Sequence, residues 1–163
     1  ASLVKRPPPD DAFEPANDSA LLNLQFEDGS HGVVHVSALA HLGSRGMEWE
    51  VRLYGEVGAL GGTMDFAQGW RIWRLRAGEA QIEELHVPEG MMTGVNEATS
   101  VFDQLRQLFT THPVGCRLFV DSVLAGRQVE PSFADGHRTQ RVIEAALASH
   151  DGSRHVSIRA HHP

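Results

Sequence analysis

Ten histidines are the first residues to consider for chemistry, because histidine is a common protein ligand of transition metals. His31 and His35 fall in a segment with strand character, where side chains four residues apart share a face but lie roughly 13 Å apart. That separation is too long for one zinc ion, and the sequence contains neither an H-E-x-x-H motif nor a set of cysteines. His161 and His162 belong to a terminal tail. The histidines therefore predict no metal site.

Nucleophiles and acid–base pairs are sparse. Cys116 is the only cysteine, which excludes an internal disulfide and fits a reducing cytosol, and its apolar neighbours predict a buried side chain rather than a nucleophile. Lys5 is the only lysine and lies near the N-terminus, so the folded body has no amine for Schiff-base chemistry. No G-x-S-x-G motif is present, and the paired carboxylates Asp10-Asp11 and Glu83-Glu84 fit a solvated loop or strand edge. These residues by themselves predict no catalytic centre.

Glycines at 55–62 invite comparison with a phosphate-binding loop. The run G-E-V-G-A-L-G-G lacks the G-x-G-x-x-G spacing of dinucleotide sites, and residues 63–66 have no helical period. A strand, a turn and a second strand are predicted instead. Arginine and tryptophan interleave at 70–77, which is compatible with base stacking or sugar binding, but cross-strand packing is the preferred interpretation.

Composition predicts one globular domain without nucleic-acid or membrane partners. The chain has 163 residues, of which 41% are hydrophobic and 21% charged, and no 18-residue apolar run. Its net charge is −7, and the arginines are dispersed rather than clustered on one segment. Phosphate contacts need a concentrated basic face, so nucleic-acid binding is disfavoured.

The hydrophobic pattern predicts strands first, then helices, then one last strand. Residues 1–17 contain several prolines and are interpreted as an extended linker or severed connection. Strands are predicted at 19–26 and 32–40 around the turn Glu27-Asp28-Gly29-Ser30, at 48–54, and as a hairpin at 70–77 and 80–87.

Helices are predicted in the second half of the chain. The first presents Val101, Leu105, Leu108 and Phe109 on one face and ends before Pro113, and the second covers 114–125 with Gly126 as its cap. A turn at Asp135-Gly136 precedes a third helix, whose apolar stripe is Val142, Ala145, Ala146 and Ser149. Asp151-Gly152 ends that helix, and the alternation at 155–158 predicts a strand that returns to the sheet.

Three groups of residues carry a family resemblance. They are Asp18-Ser19-Ala20 followed by Leu22, Leu24, Phe26, Asp28-Gly29, Val34, Val36 and Ser37; then Val51, Leu53, Gly55, Gly58 and Leu60; and then Pro131, Phe133, Asp135-Gly136, Gln140, Val142, Ala145 and Ser149. In this order and spacing they resemble the C-terminal domain of the Gfo/Idh/MocA oxidoreductases, the glucose-fructose oxidoreductase and inositol dehydrogenase group. The resemblance covers residues 18–159, with 1–17 as a linker and 160–163 as a tail.

The resemblance implies an α+β fold, in which a largely antiparallel open sheet has helices packed on one face and its other face available for oligomerisation. It also implies a substrate that is a sugar, cyclitol or similar polyol, while the single cysteine indicates a cytoplasmic protein. The family's dinucleotide-binding domain and E-K-P lysine have no counterpart here, and Asp151 and His155 match its D-x-x-x-H spacing only within a turn. The chain alone is therefore expected to bind no cofactor and to be inactive. NAD or NADP would belong to an N-terminal partner domain of the parent protein.

By analogy with the family, loops between the sheet and the first long helix approach the substrate. This implies Asn96 as a substrate-facing residue, with Phe133 and His137 as further candidates. Two other classes stay open. One is a stand-alone, non-catalytic β-rich module for binding or dimerisation, and the other is a ligand-binding barrel, which predicts no run of three helices.

Overall fold

The computed structural model describes residues 1–5 and 17–158, which form two compact units. The first comprises Ala1–Ala40 and Gln128–Pro163, and the second His41–Arg127. Within the described residues the chain order is β1 (Ser2–Lys5), β2 (Asn17–Gln25), β3 (His31–Ser37), β4 (Glu48–Gly55), β5 (Gly58–Asp65), β6 (Gly69–Arg76), β7 (Glu83–Leu85), α1 (Val101–Thr111), α2 (Cys116–Ala125) and α3 (Phe133–Gly152). The strands form antiparallel sheets ordered β1-β2-β3 and β4-β5-β6-β7. The predicted α+β class with open antiparallel pairing is confirmed, although two sheets replace the single one expected.

The first sheet is built on the hairpin of β2 and β3. Ser30 donates from its backbone nitrogen (2.9 Å) and its hydroxyl (2.7 Å) to the Asp28 carboxylate, and Gly29 has a φ of 87°, so the predicted turn is confirmed. Strand β1 pairs with β2, with Leu3 opposite Ala20. Residues 2–5 are therefore extended as predicted but belong to the sheet, so the expectation that Lys5 lies outside the folded body is wrong. Most of the predicted linker, including Asp10-Asp11, lies outside the described residues, as do His161 and His162.

Helix α3 begins eight residues before the helix-forming run that starts at Arg141. Ser132 and Asp135 form a capping box: the Asp135 backbone nitrogen donates to the Ser132 hydroxyl, and the Ser132 backbone nitrogen donates to the Asp135 carboxylate at 2.7 Å. The predicted turn at Asp135-Gly136 is therefore wrong, because Asp135 lies in the first helical turn and Gly136 follows it inside the helix. The helix ends at Gly152, as predicted.

Residues 155–158 form no strand, so the predicted return to the sheet is also wrong. They line a groove of about 200 Å³ together with β2 and α3. The predicted apolar stripe of α3 lines the same groove opposite Leu22 and Leu24, and its four members are half-buried: Val142, Ala145, Ala146 and Ser149. The stripe therefore faces the groove beside β2, and its packing on the sheet stays a prediction.

The second sheet contains the predicted strand–turn–strand at the glycine-rich run. Gly55 pairs with Gly58 across a two-residue turn, and Gly58 has a φ of 148°. Strand β7 is shorter than predicted but is tied to β6 by Arg74, whose Nε and Nη2 donate to the two carboxylate oxygens of Glu83 at 2.7 and 2.9 Å. Arg74 also lowers the pKa of Glu83 below its ordinary value.

Three directly paired residues, one each on β4, β5 and β6, include the best-buried side chain of this sheet. Trp49 is opposite Met64, and Met64 is opposite Trp70, so all three share one face. The two indole rings approach edge to face with centroids 6.4 Å apart, and Met64 between their strands is only 5% exposed. The preferred interpretation of the 70–77 interleaving as cross-strand packing is confirmed for Trp70.

Helices α1 and α2 follow this sheet. Val101 is 8% exposed and Leu105 and Leu108 are half-buried as predicted, but Phe109 is 63% exposed. Gly126 caps α2 in the left-handed conformation, also as predicted. Cys116 is exposed, so its predicted burial is wrong. It occupies the first position of α2, a helix without a buried residue, where apolar sequence neighbours do not enclose it.

Candidate functional site

The second unit contains a cleft of about 690 Å³ beside β6. Its walls come from β6, from the segment that includes β7 and continues to Val87, and from the loop and first turns of α1. The lining combines apolar side chains, such as Trp70, Ile72 and Leu108, with polar ones, such as His86 and Gln104. A lining of this kind suits a small polar molecule with an apolar face.

The loop before α1 is held by its own hydrogen bonds. The side-chain oxygen of Asn96 accepts a hydrogen bond from the Ala98 backbone nitrogen at 3.1 Å. The backbone carbonyl of Asn96 accepts one from the Thr99 hydroxyl at 2.7 Å. The Asn96 backbone nitrogen donates to the Gln107 side chain at 2.6 Å. Asn96 thus shapes the loop and does not itself line the cleft, whereas Glu97 and Thr99 on either side of Ala98 do.

Helix α1 is anchored to this loop at its start. Ser100 caps the helix by accepting from the Asp103 backbone nitrogen at 3.2 Å. The Gln104 side chain donates to the carbonyls of Glu97 (3.1 Å) and Thr99 (2.9 Å). The amide nitrogen of Gln104 is therefore engaged with the loop, so this side chain fixes the wall of the cleft.

The charged groups of the cleft are Arg71, Glu84, Glu97 and the titratable His86. Arg71 and Glu84 form a long ion pair at 3.5 Å, and both side chains are more than half exposed. Such an exposed pair holds its groups weakly, which leaves a cation and a carboxylate accessible at the wall. Within residues 1–5 and 17–158, no group of three His, Cys, Asp or Glu side chains is arranged to hold a metal ion.

The two other predicted substrate-facing residues belong to the first unit. Phe133 and His137 lie one turn apart on α3, so they share a helix face, and both are exposed, Phe133 by 87%. Neither lines the groove between α3 and β2. The structure therefore brings Phe133 and His137 together, while Asn96 belongs to the second unit.

A second surface feature is the apolar face of β4, β5 and β6, defined by Trp49, Val51, Leu53, Leu60, Trp70 and Ile72. These residues line a shallow depression of about 270 Å³ whose floor includes Gly61 and Gly62. Leu53 is 58% exposed and Trp49 is 49% exposed. The alternation of β4 predicted the apolar side of that strand, but the contribution of β5 was missed, because its glycines carry no hydrophobic signal.

The opposite side of β4 carries charge. The Nε of Arg52 donates to the Glu50 carboxylate at 2.6 Å, and this contact keeps the pKa of Arg52 above its ordinary value. Elsewhere, hydrogen bonds from Ser30 lower the pKa of Asp28, and those from Ser132 lower the pKa of Asp135. The lowered pKa of Asp28 therefore reflects its place in the hairpin turn, and that of Asp135 its place in the helix cap.

Comparison with known protein families, curated proteins and solved structures finds no match to the chain. Among the described residues, no helix has the length and apolar character needed to cross a membrane.

Proposed function

We propose that this chain is the substrate-side and oligomerisation domain of a cytoplasmic, NAD(P)-dependent sugar or polyol oxidoreductase, and that it is inactive alone. The observation that carries the oligomerisation part of the proposal is the apolar face, an exposed stripe across three neighbouring strands. A contiguous apolar surface on a globular domain marks an interaction site. The α+β class, with antiparallel strands followed by helices, agrees with the family resemblance, although that fold has one sheet and this chain has two.

The proposal assigns NAD or NADP to an N-terminal partner domain. Its support is the conformation of the glycine-rich run, where Gly55 and Gly58 flank a hairpin turn between two antiparallel strands. A dinucleotide loop instead joins a strand to a helix, whose N-terminus holds the pyrophosphate. The run in this chain therefore has a structural role.

The proposed substrate side is supported by the cleft beside β6. A sugar or polyol offers hydroxyl groups to polar partners and C–H faces to aromatic rings, and Trp70, His86 and Glu97 provide both kinds of group there. Asn96 contributes as a positioning residue of the loop. Phe133 and His137 stay candidates for substrate contacts from α3.

Calorimetric titration tests the cofactor assignment. We expect no heat of binding from NAD, NADH, NADP or NADPH with the isolated 163-residue chain. The chain joined to a β-G-x-G-x-x-G-α domain encoded upstream should bind one of them. Micromolar binding by the isolated chain would contradict the assignment.

A stand-alone dimerisation module is the second candidate, and the same apolar face supports it. The gene distinguishes the two. A reading frame that continues upstream into a dinucleotide-binding domain with an E-K-P motif supports the oxidoreductase, whereas a reading frame that opens at the position of Ala1 contradicts it.

A further inference from the structure

Strand β4 is a long edge strand with all its residues exposed. It lies at one end of the order β4-β5-β6-β7, and its eight residues are all exposed to solvent. Within the part of the chain that the structure describes, no strand pairs with its outer side. The opposite edge strand, β7, has only three residues. Long uninterrupted edges are templates for pairing with another strand, and β4 contains neither proline nor a register shift to block it.

The hydrogen-bond pattern shows which residues of β4 point outward. The Ala77 backbone nitrogen donates to the Val57 carbonyl at 2.9 Å, so the odd-numbered residues of β5 direct their backbone groups towards β6. The even-numbered residues of β5 therefore bond to β4. Their partners in β4 are odd-numbered: Trp49, Val51 and Leu53. In β4 the outward backbone groups belong to the even-numbered residues Glu48, Glu50, Arg52 and Tyr54.

The charges on these outward residues select one symmetric register. In an antiparallel pair of two β4 strands centred on Val51, Glu50 of each copy is opposite Arg52 of the other. A register centred on Glu50 or on Arg52 would place like charges directly opposite, which is destabilising. With Val51 at the centre, the outward residues also become the hydrogen-bonded pairs, giving roughly eight backbone hydrogen bonds between the copies.

We propose that two copies of this chain associate through β4, antiparallel and centred on Val51, to form one continuous sheet. The inference rests on the oligomerisation part of the proposed function and specifies its partner and register. The two-fold axis runs perpendicular to the sheet, so both apolar faces lie on the same side. Trp49 of one copy is then opposite Leu53 of the other, and the apolar face continues across the junction.

Disulfide cross-linking tests the register. In a background with Cys116→Ser, the variant Val51→Cys places two thiols in a non-hydrogen-bonded pair with Cα atoms about 4.5 Å apart, within the range of a disulfide. Leu53→Cys is the matched control, since its two copies would be roughly 13 Å apart along the strands. We expect Val51→Cys to give at least about tenfold more covalent dimer under mild oxidation. Equal cross-linking of the two variants would overturn the register.

Charge exchange tests the contact between copies. Glu50→Arg and Arg52→Glu each place like charges opposite one another, so each should raise the dimer dissociation constant about ten- to thirtyfold in sedimentation. Both variants also lose the Arg52–Glu50 contact within the chain. Mixing them restores opposite charges only between copies, so the mixture should return to within about threefold of the wild-type constant. A mixture as weak as either variant alone would overturn the pairing.

These outcomes separate this inference from the proposed function. A wild-type chain that is monomeric at high concentration would overturn both the β4 pairing and the oligomerisation role. A stable dimer in which Leu53→Cys cross-links as well as Val51→Cys would overturn the β4 pairing only. Cofactor binding by the isolated chain would contradict the proposed domain assignment and leave the β4 pairing standing.

Discussion

Two adjacent glycines of β5 should respond oppositely to the same substitution. A Cβ on Gly61 would lie 2.2 Å from both Cε2 and Cζ2 of Trp73, its cross-strand partner. On Gly62 the nearest atoms are the Arg71 carbonyl oxygen at 3.7 Å and Trp49 Cζ3 at 3.9 Å, which are ordinary contacts. Neither glycine has a left-handed backbone conformation. The two substitutions therefore differ mainly in the space available.

The sizes of the two effects follow from this geometry. Gly61→Ala requires the Trp73 ring to move, and overpacking of this kind costs about 1–3 kcal/mol. We expect the lower half of that range, because Trp73 is only half-buried and its ring can shift outward. Gly62→Ala should stabilise by about 0.4–1 kcal/mol, since alanine restricts the unfolded chain without a clash. The variants should differ by about 2 kcal/mol.

Urea unfolding followed by tryptophan fluorescence measures this difference. The three tryptophans Trp49, Trp70 and Trp73 all lie in the second unit, so their fluorescence reports on that unit. In a Trp73→Leu background the cost of Gly61→Ala should fall below about 0.5 kcal/mol, because the clashing ring is gone. Equal stabilities of Gly61→Ala and Gly62→Ala would refute the close packing of Trp73 on Gly61.

Two further predictions concern the start of α3. Ser132→Ala removes the side-chain acceptor of the capping box and should destabilise the first unit by about 1 kcal/mol. Denaturant unfolding monitored by circular dichroism measures this loss, and Ser153→Ala, beyond the helix end, is the control. Equal losses of stability from both variants would contradict the cap. Asp135 has a lowered pKa because Ser132 donates to its carboxylate, so its stabilisation is present above the pKa of the unfolded chain and is lost as pH falls through the lower folded value. The stability difference between wild type and Asp135→Asn should therefore shrink on acidification in this range, and a difference independent of pH would contradict the assignment.

Local signals in the sequence identified the Asp28-Gly29 turn and the half-buried face of α3 correctly. Asp28-Gly29 specifies its hairpin through the Asp28 carboxylate and the positive φ of Gly29, both short-range effects. The stripe of Val142, Ala145 and Ala146 follows from helical periodicity alone. Features that depend on neighbours within a few residues can be inferred in this way.

The errors have identifiable physical causes. Gly136 suggested a turn, but the capping box formed by Ser132 and Asp135 outweighs the helix-breaking tendency of one glycine, which costs about 1 kcal/mol. The alternation at 155–158 has no paired strand within the described residues, and period alone cannot supply one. The exposure of Cys116 depends on how α2 packs, which its sequence neighbours do not report. Only the first of these errors traces to a specific competing contact, the capping box at Ser132 and Asp135.

The candidate site was predictable only as a region. The family resemblance directed attention to the loop before α1, and this loop does form one wall of the cleft. It could not show that the side chain and backbone of Asn96 hold the loop while Glu97 and Thr99 line the cleft, because that division depends on hydrogen bonds to Ala98 and Gln107. The predicted substrate contacts of Asn96, Phe133 and His137 accordingly stay predictions.

Strand β4 shows what tertiary order adds to a sequence pattern. Its alternation of charged and apolar residues predicts a strand with one solvent-facing side and one buried side, whatever its position in a sheet. The strand order β4-β5-β6-β7 makes β4 an edge strand. The hydrogen bonds between β4 and β5 use the odd-numbered residues of β4, so the backbone groups of Glu50 and Arg52 point outward. On an inner strand these two charges would meet the neighbouring strand of the same chain. At an exposed edge the nearest complement to Glu50-Val51-Arg52 is the same three residues of an antiparallel second copy, which is why an ordinary amphipathic pattern becomes a specific register here.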